Sequence, residues 1–135
     1  MCIPSSLSGR TKLKDKRVLI VEDEPLVAML VEDEMLGAGA EVVGPAFSVA
    51  SALWLLEAAM ADGGIDAAVL DINMGGKHVS PVAERLAMLG VPFLFTTGYG
   101  EGCDTGGHAA APMLHKPFDP AMLLSIVEGL PRIAA

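Results

Sequence analysis

Short apolar runs alternate along this chain with stretches of helical periodicity. Val18-Leu19-Ile20-Val21 is a continuous apolar run that stops at Glu22-Asp23-Glu24, and it reads as a strand buried on both faces. Pro25 suits the first turn of a helix; Leu26, Met29, Leu30 and Leu36 then follow at helical spacing, and Gly37 and Gly39 end it. Glu41 to Gly44 reads as a short second strand. Ser48 or Ser51 can cap a second helix carrying Leu53, Trp54, Leu56 and Met60, which Asp62-Gly63-Gly64 stops. Ala67 to Leu70 is a third strand with Asp71 at its end, followed by a loop, Asn73-Met74-Gly75-Gly76. Pro81 to Leu89 reads as a third helix. Pro92 to Phe95 is a fourth strand ending at Thr96-Thr97-Gly98, and Met113-Leu114-His115 is a short fifth leading to Lys116-Pro117. Asp119 can cap a last helix that runs to Leu130 before Pro131. Residues 98–111 are rich in glycine and alanine and give no convincing helix.

Five strands alternating with four helices predict an α/β fold with a parallel sheet covered on both faces. The predicted organisation is a flexible tail over 1–16, one domain over 17–130, and a short tail over 131–135.

Composition narrows the function. No apolar run approaches the ~18 residues that a membrane-spanning helix needs. The N-terminal stretch is polar and basic rather than signal-like. Cys2 and Cys103 are the only cysteines, far apart, which argues against a disulfide framework or a thiolate metal site and favours a reduced, cytoplasmic protein. The net charge is −8, and residues 1–17 hold five of the nine lysines and arginines but only one acid, Asp15. The rest of the chain is therefore strongly acidic and repels a polyanion, so direct nucleic-acid binding is not expected.

The candidate chemistry sits where the strands end. Glu22 and Asp23 follow strand one, Asp71 ends strand three, Thr97 ends strand four and Lys116 follows strand five. In an open parallel sheet the ligand site lies outside the carboxyl ends of the strands, so these residues converge there. Three clustered carboxylates need a counter-charge, and hard oxygen donors suit Mg²⁺. The Lys116 ammonium supplies a second positive charge. A carboxylate so held can attack phosphorus, while the metal, the lysine and the Thr97 hydroxyl stabilise charge on the phosphoryl oxygens.

The segments VLIVEDEP, AAVLDIN, VPFLFTTG and LHKPF, in that order over roughly residues 17–130, resemble the receiver domains of two-component response regulators, the CheY-like family. The resemblance implies a flavodoxin-like doubly wound sheet in the order 2-1-3-4-5. It implies Asp71 as phosphoacceptor and Asp23 as a direct Mg²⁺ ligand. Glu22 would hold a metal-bound water, the backbone carbonyl of Asn73 would complete the shell, and Thr97 and Lys116 would bind the phosphoryl group. It also implies a cis Lys116–Pro117 bond. The chain departs from the family at Met113, where an aromatic switch residue is usual, and at Gly75-Gly76. Phe95-Thr96-Thr97-Gly98-Tyr99 resembles a subgroup of receivers, common as stand-alone domains, with Phe-Ala-Thr-Gly-Tyr-like segments.

Two function classes follow. The first is a phosphorylation-dependent switch that receives phosphate from a histidine kinase or phosphotransfer protein and signals by contact with a downstream protein or by phosphorelay, as a monomer or weak homodimer. The second is a receiver-like interaction module that works without phosphate. The intact set Glu22, Asp23, Asp71, Thr97 and Lys116 favours the first. An aspartyl-phosphate phosphatase is disfavoured because Asn73 stands where its second aspartate belongs. The only catalysis expected is self-phosphorylation and self-dephosphorylation. Thr96 is expected to pack or face solvent, Glu24 to serve the helix dipole, and Trp54 to be core or half-buried. His78, His108 and His115 lack metal-ligand spacing. The face formed by residues 98–111, strand five and the last helix is the expected partner surface, with the loop rather than an aromatic ring as the switched element.

Overall fold

The computed structural model describes residues 13–98 and 104–131. Five parallel strands form the central sheet: β1 (Arg17–Val21), β2 (Glu41–Ala46), β3 (Ala67–Asp71), β6 (Phe93–Thr97) and β7 (Met113–His115). Their order is β2-β1-β3-β6-β7. The expected order, 2-1-3-4-5, holds once the strands of the central sheet alone are counted. The numbering differs because β4 (Asn73–Met74) and β5 (Lys77–His78) form a small antiparallel hairpin in the stretch read from sequence as a loop. Gly75 and Gly76 turn that hairpin, both at positive φ (64° and 90°), a conformation open to glycine at little cost.

Four helices cover the sheet. Helices α1 (Pro25–Gly37) and α4 (Pro120–Glu128) lie on one face, where Val31, Met35, Leu123 and Val127 pack against Val18, Ile20, Val69, Leu94 and Leu114. Helices α2 (Val49–Met60) and α3 (Ser80–Met88) lie on the other, where Leu56, Val82 and Leu86 meet Leu19, Val21, Leu70, Phe93 and Phe95. Successive strand residues thus feed opposite layers, as the period of two requires. Ser48 caps α2 in a reciprocal capping box with Ser51, and the Asp119 carboxylate caps α4 by accepting the Ala121 N–H. Among the described residues no helix is long and apolar enough to cross a membrane.

At the surface of α1 and α2 the structure settles one point that spacing left open and overturns one expectation. Leu26, Met29, Leu30 and Leu36 keep their helical spacing but form the exposed side of α1; the sheet takes Ala28, Val31 and Met35 instead. Trp54 is 71% exposed rather than core or half-buried. A further difference concerns the start of the domain. Residues 13–16, read as the end of a tail, make a turn with Leu13 buried and its N–H donating to Ala38 O. Residues 1–12 and 132–135 lie outside the described residues, as do 99–103 of the glycine-rich segment. Residues 104–112 carry turns and no helix.

At the edge opposite the strand ends, Arg17 ties β1 to the end of α2. Its Nε donates to Glu41 Oε2 at 2.8 Å, and Nη1 lies 3.2, 2.5 and 2.7 Å from the carbonyls of Ala59, Asp62 and Gly64. The Ala59 carbonyl belongs to the last turn of α2, and those of Asp62 and Gly64 follow its end. We expect Arg17→Ala to lower stability by about 2 kcal/mol, the scale for losing charge-assisted bonds to partly buried acceptors. Urea unfolding midpoints check this; an unchanged midpoint contradicts it.

Candidate functional site

The carboxyl ends of β1, β3, β6 and β7 bring the predicted residues together. Glu22 follows β1 and is fixed there by its N–H, which donates to Ala46 O at 3.0 Å. That anchor depends on an irregular step in β2: Gly44 sits at φ 97°, and a Cβ there would lie 2.8 Å from Ala46 N and 2.9 Å from Ile20 O, closer than atoms can approach. Glu22 is buried, Asp23 half-buried, and Glu24 exposed at the N-terminus of α1. Asp71 is the last residue of β3 and only 2% exposed. Its Oδ1 accepts the Asn73 N–H at 3.2 Å.

Lys116 crosses the end of β6 to reach this group. Its own N–H donates to Thr97 O at 2.8 Å, which holds the start of the side chain beside β6. Its Nζ lies 2.9 and 3.0 Å from the two carboxylate oxygens of Glu22, 3.0 Å from Asp71 Oδ2 and 3.2 Å from Glu24 Oε1. The Lys116–Pro117 bond is cis, as the resemblance implies; Gly44–Pro45 is also cis.

Burial dominates the electrostatics of Asp71. Removal from water, reinforced by the neighbouring Glu22 carboxyl, pushes its pKa up to about 8 against the opposing pull of Lys116. For Lys116, burial works against the charged form, but its bonds to Glu22 and Asp71 outweigh that and raise its pKa above the ordinary lysine value. The lysine is therefore a permanent cation facing three carboxylates, and a second cation is needed to ionise them all.

The donor set fits a hard divalent cation. One carboxylate oxygen each from Glu22, Asp23, Glu24 and Asp71 lies within 4.8 Å of the others. All-oxygen ligation of this kind suits Mg²⁺, which keeps several waters. Asp23 is steadied by the Gly75 N–H, which donates to its Oδ2 at 2.9 Å. The Asn73 side chain is turned into the hairpin, where its Oδ1 accepts the Gly76 N–H at 2.8 Å. Asn73 thus meets the site through its backbone, two residues beyond Asp71.

Two residues carry more than the sequence suggested. Glu24 was expected to serve the helix dipole alone, yet its carboxylate joins the acidic cluster and Lys116; three consecutive acids after a buried strand were the available signal. His78, with no metal-ligand spacing, links two segments: Nδ1 accepts the Ser80 N–H at 2.9 Å, which leaves the proton on Nε2 to donate to Asp104 O at 2.7 Å. His115 is exposed. Thr96 does not face solvent: both Thr96 and Thr97 are buried, at 1% and 0% exposure. Neither hydroxyl has a hydrogen-bond partner among the described residues. Met113, in the aromatic position of the family, is half-buried against the α2 and α3 layer.

Known proteins share both the sequence and the fold. No family model matches the chain. The chain is 42% identical to SdrG from Sphingomonas melonis Fr1, over 84% of this chain and 96% of that one, with a TM-score of 0.68. It is 31% identical to the response regulator PhyR from Brucella abortus, over 92% of this chain and 51% of that one, with a TM-score of 0.72. It is 33% identical over 113 residues to the phyllosphere-induced regulator PhyR of Methylorubrum extorquens; the match takes in 82% of this chain, which spans only 41% of that relative's length. With a parallel sheet of the same class and an acid cluster, terminal aspartate and lysine at its carboxyl edge, the chain belongs to the receiver domains of response regulators.

Proposed function

We propose that the protein is a phosphorylation-dependent signalling switch that takes a phosphoryl group onto Asp71 from a histidine kinase or phosphotransfer protein. The observation that carries this reading is the Asp71 carboxylate itself: buried at a strand end, within 3.0 Å of a fixed ammonium and inside a cluster of oxygen donors. Asp71 attacks the phosphorus of a phosphohistidine. An O–P bond forms, the P–N bond breaks, and its electron pair leaves with the imidazole. Lys116 then follows the negative charge outward to the phosphoryl oxygens, and Thr97, one residue nearer the open edge, donates its hydroxyl to another of them. Glu22 (through a water), Asp23, Asp71 and the Asn73 carbonyl would hold Mg²⁺, with Glu24 beside them. The ion supplies positive charge that lets the carboxylates ionise and the phosphoryl oxygens approach them. The protein catalyses only these changes in its own state.

The signal leaves by contact with a partner protein in the cytoplasm. An apolar groove of about 330 Å³, lined by Phe93, His108, Ala111 and Leu130 among others, adjoins the expected partner face along residues 107–112, with none of its lining drawn from β7 or α4. Met113 is the observation that favours the second reading, a module that works without phosphate, because the usual aromatic partner of the threonine is missing.

Intact-mass measurement after incubation with acetyl phosphate and Mg²⁺ separates the two. The expected result is one added phosphoryl group in the native chain, none in Asp71→Asn and none in Asp23→Ala. A native chain that stays unlabelled by acetyl phosphate and by kinases, or an Asp71→Asn chain that is labelled, overturns the first reading.

A further inference from the structure

Thr96 occupies a place that packing alone does not explain. The register of the sheet pairs Asp71 of β3 with Thr96 of β6, and Thr96 in turn with Leu114 of β7. Paired residues of neighbouring strands share a face, about 4.8 Å apart. Asp71 alternates with Val69, and Thr96 with Leu94, both in the layer under α1 and α4. Thr96 therefore lies beside Asp71 on the same face, in the strand that Lys116 must cross to reach Asp71 Oδ2. Its hydroxyl is buried and has no partner among the described residues, although a buried donor left unsatisfied is costly.

Phosphorylation would create the matching deficit. Before transfer, Asp71 takes one bond from the Asn73 N–H and one from Lys116. When an Asp71 oxygen bonds to phosphorus and the donor's leaving group departs with the electrons of its own P–O or P–N bond, the negative charge moves outward onto the phosphoryl oxygens. The ammonium follows it. The acyl group that remains is still buried and has lost a hydrogen-bond donor. The unused donor that the register puts beside it on the same face is Thr96.

We propose that Thr96 is a second hydroxyl of the phosphoryl-accepting site, a positioning residue that donates to the carboxyl group of Asp71 as Lys116 leaves it. Its role is distinct from that of Thr97, which lies nearer the open edge toward which a phosphoryl group extends. The inference rests on the reading of Asp71 as phosphoacceptor.

The test compares the native chain with Thr96→Val and Thr96→Ser, using acetyl phosphate and Mg²⁺ for labelling and intact mass for the rate. A second readout is the acyl phosphate C=O stretch, followed by isotope-edited infrared after EDTA removes the metal. Thr96→Val should label about tenfold more slowly, the upper scale for one lost hydrogen bond. Its C=O stretch should move to higher wavenumber, and its melting temperature should hold or rise because a buried unpaired hydroxyl is gone. Thr96→Ser should restore the rate and the stretch. Labelling of Thr96→Val at the native rate with an unmoved stretch overturns the inference and leaves the phosphoacceptor reading intact. So does a slow Thr96→Val whose stretch is native, or a Thr96→Ser that fails alongside it, since either marks a packing role. A native chain that takes no phosphoryl group at all overturns both.

Discussion

Replacing Asp71 with asparagine should stabilise the protein at pH 8 and flatten its pH dependence when divalent cations are chelated. Burial and the Glu22 carboxyl hold the Asp71 pKa at about 8, far above the value near 4 of an unfolded aspartate. The folded state therefore keeps a proton over a range where the unfolded state has lost it. Stability from this group is fully present below about pH 4 and is lost as the pH rises toward 8, where the buried carboxylate must ionise. Relaxation and water entry relieve much of so large a shift, and the expected loss between pH 5 and pH 8 is about 2 kcal/mol. Asparagine cannot ionise and keeps similar volume, so the variant should gain about that amount at pH 8 and little at pH 5. Added Mg²⁺ should recover the native chain at pH 8 by binding the ionised cluster, and should do much less for the variant. Urea unfolding in EDTA at the two pH values is the measurement. Parallel stability curves for the two chains would show that Asp71 does not carry the buried proton.

The central strands and the site were legible in the sequence for one shared reason. Strands β1, β3 and β6 carry apolar runs, and the polar residue that ends each run marks the edge where a parallel sheet places its chemistry. Glu22, Asp71 and Lys116 come together on that argument from the sequence alone. The helices were less legible because periodicity says that a helix exists without saying which side faces in. Helix α1 is apolar around most of its circumference, so Leu26, Met29, Leu30 and Leu36 made a stripe as plausible as the buried one. The sheet accepts Ala28, Val31 and Met35, and the neighbouring stripe of leucines with Met29 is left outside. The hairpin after Asp71 has strands of two residues each, too short for any alternation to register, although its Gly75-Gly76 turn was visible. The share of Lys116 taken by Glu24 was not legible, because sequence puts Glu24 at a helix start, where an acid needs no further explanation. The link from His78 to Asp104 depends on a loop geometry that carries no pattern at all.

Removing the charge of Lys116 while keeping its stem should cost more stability than any other single change at the site. The lysine side chain is 12% exposed and faces Glu22 and Asp71 side chains that are only 4% and 3% exposed. Lys116→Met leaves those carboxylates buried without their cation, and breaking a buried pair on one side costs about 3–5 kcal/mol. Glu24 adds little, because its carboxylate is well exposed and water replaces the lost contact. The coupling distinguishes this account from a general loss of packing. In the Asp71→Asn background one of the two buried charges is already gone, so Lys116→Met should cost markedly less there than in the native chain. A double-mutant cycle in urea at pH 8 without divalent cations measures that difference. Glu22 keeps part of the cost in place, since both of its oxygens lie within 3.0 Å of the ammonium. A cost that is the same in both backgrounds would mean that Lys116 supports the fold through its stem, and that the contact with Asp71 is energetically idle.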